Sequence, residues 1–166
     1  MRPPGEEVVV READLGSADD AEAIVTLIDM YAREPMGGGA RLERGVRDAL
    51  VPGLRAHPTT LVFLALASGQ PVGVAVCFRG FSTFAARPLV NIHDLAVRPG
   101  YRGGGIGRRL LESVESRARG LGCCKLTLEV RGDNRIAQGL YRSFGFEGTA
   151  NGGGRAQMLF WEKRLP

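Results

Sequence analysis

One tryptophan, three tyrosines, two histidines and three cysteines in 166 residues leave several kinds of protein without their raw material. The histidines, His57 and His93, stand far apart, and no Cys/His spacing resembles a ligand set. Metal catalysis is therefore not expected. An odd number of cysteines, with Cys123 and Cys124 adjacent, gives no disulfide framework, so a reducing cytoplasmic location is the simplest expectation. No apolar run approaches the ~20 residues that a membrane helix needs. The opening Met1-Arg-Pro-Pro-Gly-Glu-Glu lacks the apolar centre of a secretory signal. Neither membrane insertion nor export is expected. Charge of one sign is also in short supply, because 22 basic residues meet 18 acidic ones without a long basic run. That argues against a nucleic-acid partner.

What the chain does have is an ordinary globular balance, 44% hydrophobic and 24% charged, and a length that suits one domain over residues 1–166. Glu7 to Arg11 reads as a short strand and Ser17-Ala-Asp-Asp as a helix start. Ile24, Leu27, Ile28 and Tyr31 form a helical stripe, broken by the mobile-loop signal Pro35-Met-Gly-Gly-Gly39. A second helix, about Leu42 to Arg55, places Val46, Leu50 and Leu54 at helical spacing. The runs Leu61–Leu66 and Val72–Phe78 flank a hairpin signal, Ser68-Gly-Gln-Pro71. Pro88–Val97 is a further strand, and a long helix with the stripe Ile106, Leu110, Val114 and Ala118 follows. Lys125–Val130 reads as a strand, with Cys124 expected in the core by alternation with Leu126 and Leu128. Asn134 or Asp133 then caps a helix bearing Ile136, Leu140 and Phe144, and a strand from Ala156 to about Lys163 ends the pattern. The order β-α-α-β-β-β-α-β-α-β gives a three-layer α/β domain, a mixed sheet with helices on both faces.

Between Val97 and the long helix, glycines crowd together: Arg102-Gly-Gly-Gly-Ile-Gly107, followed by Arg108 and Arg109. Glycines at a strand-to-helix junction let backbone N–H groups converge, and the helix start adds partial positive charge, so the segment reads as a phosphate cradle ringed by Arg102, Arg108 and Arg109. A nucleotide P-loop is excluded because no Gly-Lys-Ser/Thr follows. The dinucleotide G-x-G-x-x-G fails in register, with Arg108 or Leu110 where the third glycine belongs.

Arg102-x-x-Gly105-x-Gly107 is instead similar to the Arg/Gln-x-x-Gly-x-Gly/Ala loop of the GNAT acetyltransferases. The resemblance includes Ile92-His-Asp-Leu-Ala-Val97 before it and Asn134-x-x-Ala137-x-x-Leu140-Tyr141-x-x-Phe144-Gly145-Phe146 some forty residues later. It implies a GNAT-type splayed sheet and an acetyl-CoA (coenzyme A) cofactor. By that resemblance Leu95, Ala96 and Val97 border the pantetheine arm. Arg102, Gly103, Gly104, Gly105, Ile106, Gly107 and Arg108 form the pyrophosphate loop. Asn134 lies beside the cofactor or simply caps its helix. Tyr141 matches the family's general acid, being protonated at neutral pH with an ordinary pKa near 10. His93, with an ordinary pKa near 6.5, or an ordered water, is the expected base. On a regular strand Asn91, His93 and Leu95 share one side and Ile92, Asp94 and Ala96 the other, so Asp94 is expected to point away and brace backbone. The acceptor implied is a primary amine on a small molecule, with protein amines and a non-catalytic acyl-CoA-binding module as alternatives. Pro35–Gly39 and Asn151–Gly154 are expected to border it. A homodimer is compatible with this reading and not specified by it.

Overall fold

A computed structural model describes residues 7–148 and 157–166. Its strands are β1 (Val8–Glu12), β2 (Thr60–Ala67), β3 (Gln70–Ser82), β4 (Arg87–Val97), β5 (Lys125–Arg131), β6 (Glu147–Gly148) and β7 (Met158–Arg164). The helices are α1 (Ala18–Ala32), α2 (Arg44–Ala56), α3 (Ile106–Gly120) and α4 (Arg135–Phe144). The strands form one open sheet in the order β1-β2-β3-β4-β5-β7-β6. Every neighbouring pair is antiparallel except β4 and β5. Helices α1 and α2 cover one face and α3 and α4 the other, each over its own apolar cluster.

Local chemistry explains most boundaries. Ser17 caps α1 by accepting from the Asp20 N–H, and Asp19 and Asp20 sit in the first turn, where the helix dipole favours negative charge. Asp20 is itself buried and takes a two-pronged bond from Arg11 at 2.7 Å, tying the helix start to β1. In the β2–β3 hairpin Ser68 and Gly69 both have positive φ, 48° and 80°, the twist that a two-residue loop needs. The α3 stripe holds as read: Ile106, Leu110, Val114 and Ala118 are buried, with Leu111 beside them. Each fully buried aliphatic contributes about 1.5–3 kcal/mol, so this helix anchors its layer.

Several expectations need correction. In α2, Val46 is exposed and Val51 with Leu54 makes the buried face. In α4, Ile136 is exposed, while Tyr141 and Phe144 are buried. Cys123, not Cys124, belongs to the core, because β5 begins only at Lys125 and strand alternation does not reach back. The short β6 has no counterpart in the sequence reading. The start of the last strand at Ala156 and the segment Asn151–Gly154 lie outside the described residues.

Two irregularities in β4 set up everything that follows. It pairs with β5 over only three residues, Val90–Ile92 against Leu126–Leu128, and beyond them the strands part. Its register against β3 also slips: Cys77 faces Ile92, Val76 faces Asp94, and His93 is the extra residue of a β-bulge. Cross-strand partners share a face, so Ile92 joins Cys77 on the α3 side while Asp94 and Ala96 join Val76 and Val74 on the α1 side. The expected grouping of Ile92 with Asp94 is therefore wrong, and the bulge is the cause.

Candidate active site

The parting of β4 and β5 opens a cleft of about 610 Å³. Leu95, Ala96 and Val97 form its β4 wall. Its floor is the glycine loop and the start of α3, through Arg102, Gly103, Gly105, Ile106, Gly107 and Arg108, and Asn134 with Tyr141 closes the α4 side. Of the residues that the family resemblance assigned to the cofactor, Gly104 alone does not line the cleft. Arg98 N–H donates to the Val72 carbonyl on β3, so by alternation the peptide groups of Leu95 and Val97 point the other way, into the opening.

The loop has the form of an anion cradle. Gly105 is the N-cap of α3 with φ 81°, and Gly103 has φ 78°; both sit in the left-handed region that glycine enters without strain. A side chain at either would project into open space. The first bond of α3 runs from Arg109 N–H to the Gly105 carbonyl, so the preceding N–H groups have no partner in the helix. No acidic residue occupies the first turn. Gly107 also serves packing, since a Cβ there would press on Leu140 of α4 at 3.0 Å. These observations fit a pyrophosphate held by loop amides.

The arginines are more engaged than composition suggested. Arg102 donates through Nε to the Val97 carbonyl at 2.8 Å and through Nη2 to Glu34 beyond the end of α1. Arg108 pairs with Glu112 and lies over the Phe144 ring, 5.4 Å from its centre. Arg109, expected in the ring, lines a separate groove beside Arg11 and Glu12, because it falls on another side of α3.

A second cavity, about 540 Å³, adjoins the first and is lined by both β4 and β5. It shares Tyr31, Met36, Leu95, Asn134, Ala137 and Tyr141 with the first, so these residues mark where the two meet. Polar groups surround it: Asn91, His93 and Asp94 from β4, Glu129 and Arg131 from β5. Asn91 is fixed by donating to the Thr127 hydroxyl at 3.0 Å, and Arg131 by a fork onto Asp133 at 2.9 and 3.0 Å. Met36, Gly37 and Gly38 form one edge. Their turn is not loose, for the Glu34 carbonyl accepts from the N–H groups of Gly37, Gly38 and Gly39, and a Cβ at Gly37 would collide with the Tyr31 carbonyl.

The electrostatics at the junction are uneven. Burial pushes the Tyr141 hydroxyl well above its ordinary range, and the nearby Tyr31, Asp94 and Cys77 add to the effect. Tyr141 also packs edge-on against Phe146, 5.8 Å between ring centres. Burial raises Tyr31 as well, helped by Asp94 and Glu34. Asp94 is lifted above the usual aspartate value by burial, against a smaller lowering pull from His93. His93 is exposed, its ring edge-on to Phe78 at 5.6 Å. Asn134 spends its Oδ1 on the Ala137 N–H as the α4 cap while bordering both cavities. Sequence reading missed Tyr31, Asp94, Glu129 and Arg131. Tyr31 carried only its place in an apolar stripe, and the two β5 residues lay outside the matched motifs.

Comparison with known proteins identifies the family of this fold. The acetyltransferase (GNAT) family model matches residues 25–146. The uncharacterized N-acetyltransferase YhfO of Bacillus subtilis is 31% identical over 128 residues, 77% of this chain and 84% of YhfO. N-alpha-acetyltransferase RimI of Mycobacterium tuberculosis is 43% identical over 77 residues, 45% of this chain. The chain spans less than half the length of the first two curated relatives it matches, 47% and 15%. Among solved structures, yncA from Salmonella typhimurium, an acetyltransferase with its cofactor acetyl-CoA, superposes with a TM-score of 0.74 at 22% identity, covering 96% of this chain and 95% of that one. The chain belongs to the GNAT acetyltransferase family, whose members draw their acyl group from acetyl-CoA.

Proposed function

We propose that the chain, as one domain over residues 1–166, is an N-acetyltransferase that moves an acetyl group from acetyl-CoA to a primary amine on a small molecule. The observation that carries this reading is the meeting of an anion cradle and a separate polar cavity at Tyr141. Gly103, Gly105 and Gly107 would hold the pyrophosphate through their amides, with Arg102, Gly104, Ile106 and Arg108 around them. Leu95 to Val97 would hydrogen-bond the pantetheine arm, and Asn134 would flank it. When bound, the cofactor supplies an activated acyl thioester. Tyr141, protonated at neutral pH and lining both cavities, would donate a proton to the leaving sulfur. His93, or a water it orders, takes a proton from the amine.

A small acceptor is supported by the second cavity's modest size and the fixed Met36–Gly38 edge. A second reading, acetylation of a protein N-terminus, is favoured by the similarity to RimI, an N-alpha-acetyltransferase. The proposed setting is cytoplasmic; no helix among the described residues is long and apolar enough to cross a membrane. The test is thiol release from acetyl-CoA across a panel of small amines and short peptides with free N-termini. Turnover with small amines supports the proposal, turnover with peptides alone transfers it to the second reading, and release with neither overturns both.

A further inference from the structure

The bulge at His93 gives β4 two neighbouring polar side chains at one cavity, where a regular strand presents only alternate ones. The inner member, Asp94, is half-buried, and its charge is felt by Tyr31 from α1, Tyr141 from α4 and Cys77 from β3. The outer member, His93, is exposed. Glu129 and Arg131 face the same cavity from β5, but Glu129 is exposed and Arg131 is held by Asp133. Among these groups Asp94 is the half-buried carboxylate of the cavity that Tyr141 also lines.

We infer that Asp94 is a catalytic residue that takes the first proton from the acceptor's ammonium group and hands it to His93, which releases it to solvent. This deepens the proposed acetyl transfer and rests on it: the base expected at His93 becomes the outer step of a two-residue relay. The proton balance is complete. The ammonium R–NH₃⁺ gives one proton to the Asp94 carboxylate and becomes R–NH₂. Its nitrogen lone pair then forms the bond to the thioester carbon while the carbon–sulfur bond breaks. The sulfur receives a proton from Tyr141, and the second proton lost by nitrogen restores Tyr141. Asp94 passes its own proton to the imidazole and then to water, so the turnover releases one proton. The direction follows the geometry, because Asp94 is half-buried and His93 exposed at the same cavity, so the relay runs from the inside outward.

Two measurements test this. In the first, kcat/KM is followed against pH for Asp94→Asn, His93→Ala and Glu129→Gln, with the melting shift on adding acetyl-CoA as a check on folding and cofactor binding. Asp94→Asn should lose at least about 100-fold at pH 7 and regain about tenfold per pH unit up to the amine's own pKa, with the acetyl-CoA shift intact. His93→Ala should lose less and recover with added imidazole. In the second, the Asp94 carboxyl carbon is titrated by ¹³C NMR in the ligand-free protein. Its midpoint should lie above that of an ordinary aspartate and rise further in His93→Ala, which removes the lowering partner. A wild-type pH profile in Asp94→Asn, or that altered profile in Glu129→Gln alone, overturns the relay while leaving acetyl transfer standing. An ordinary Asp94 midpoint overturns it even if no acceptor is ever acetylated.

Discussion

Arg102, the first residue of the glycine-loop motif, reaches across to the carboxylate of Glu34 while its Nε holds the Val97 carbonyl. One guanidinium thus joins the cradle, the open edge of β4 and the turn that borders the second cavity. Glu34→Ala should leave the cradle in place and free that turn. The expected outcome is a rise of several-fold in KM for the amine with a smaller change for acetyl-CoA. Initial-rate measurements with each substrate varied would show it. An unchanged amine KM would mean that the Glu34 backbone alone holds the turn.

Replacing Gly105 by Val combines two penalties, a β-branched side chain at φ 81° and an obstruction in the space open before α3. Ligand at ~100 times its dissociation constant stabilises a one-site protein by about 2.7 kcal/mol. Acetyl-CoA should raise the melting temperature of the wild type accordingly, and Gly105→Val should abolish the shift. NAD and ATP should produce little in either protein. Differential scanning fluorimetry checks all three, and equal shifts with NAD would remove the acyl-CoA assignment.

Tyr141→Phe removes one hydroxyl and keeps the ring against Phe146. Folding and the acetyl-CoA shift should hardly change. Loss of a placed acid typically costs 10²–10⁴-fold, so kcat should fall by at least about a hundredfold. A fully active variant would assign protonation of the sulfur to another group.

The bond from Arg11 holds the Asp20 carboxyl below the usual carboxylate range, helped by the Asp14 N–H. A carboxyl whose folded value is depressed adds stability above its unfolded value, near 3.9, and loses it as pH falls through the folded value. Asp20→Asn should therefore be less stable than wild type at pH 6, with the difference closing below about pH 4. Urea midpoints at several pH values measure this; a constant gap would show that packing, not charge, is at stake.

Sequence reading succeeded where periodicity is a local matter. The α3 stripe from Ile106 to Ala118, the Ser17 cap and the Ser68-Gly69 turn are each written in a few neighbouring residues. The cradle was legible because glycine is needed at Gly103 and Gly105 by backbone geometry. What escaped depends on pairing. A bulge such as that at His93 has no composition of its own, and one extra residue reversed the face assigned to Ile92 relative to Asp94. Likewise Arg109 looked like part of the cradle until the turn of the helix carried it to another groove.

The three-residue seam between β4 and β5 has a mechanical consequence. The first four strands and the last three are two plates that share one apolar core, joined edge to edge along Val90–Ile92 and spanned by α3, which touches both. A long, narrow guest wedged in the opening would act as a keystone, stiffening the joint between the plates. Amide exchange along the seam should therefore slow when the guest is present, more than exchange in the β2–β3 hairpin far from it.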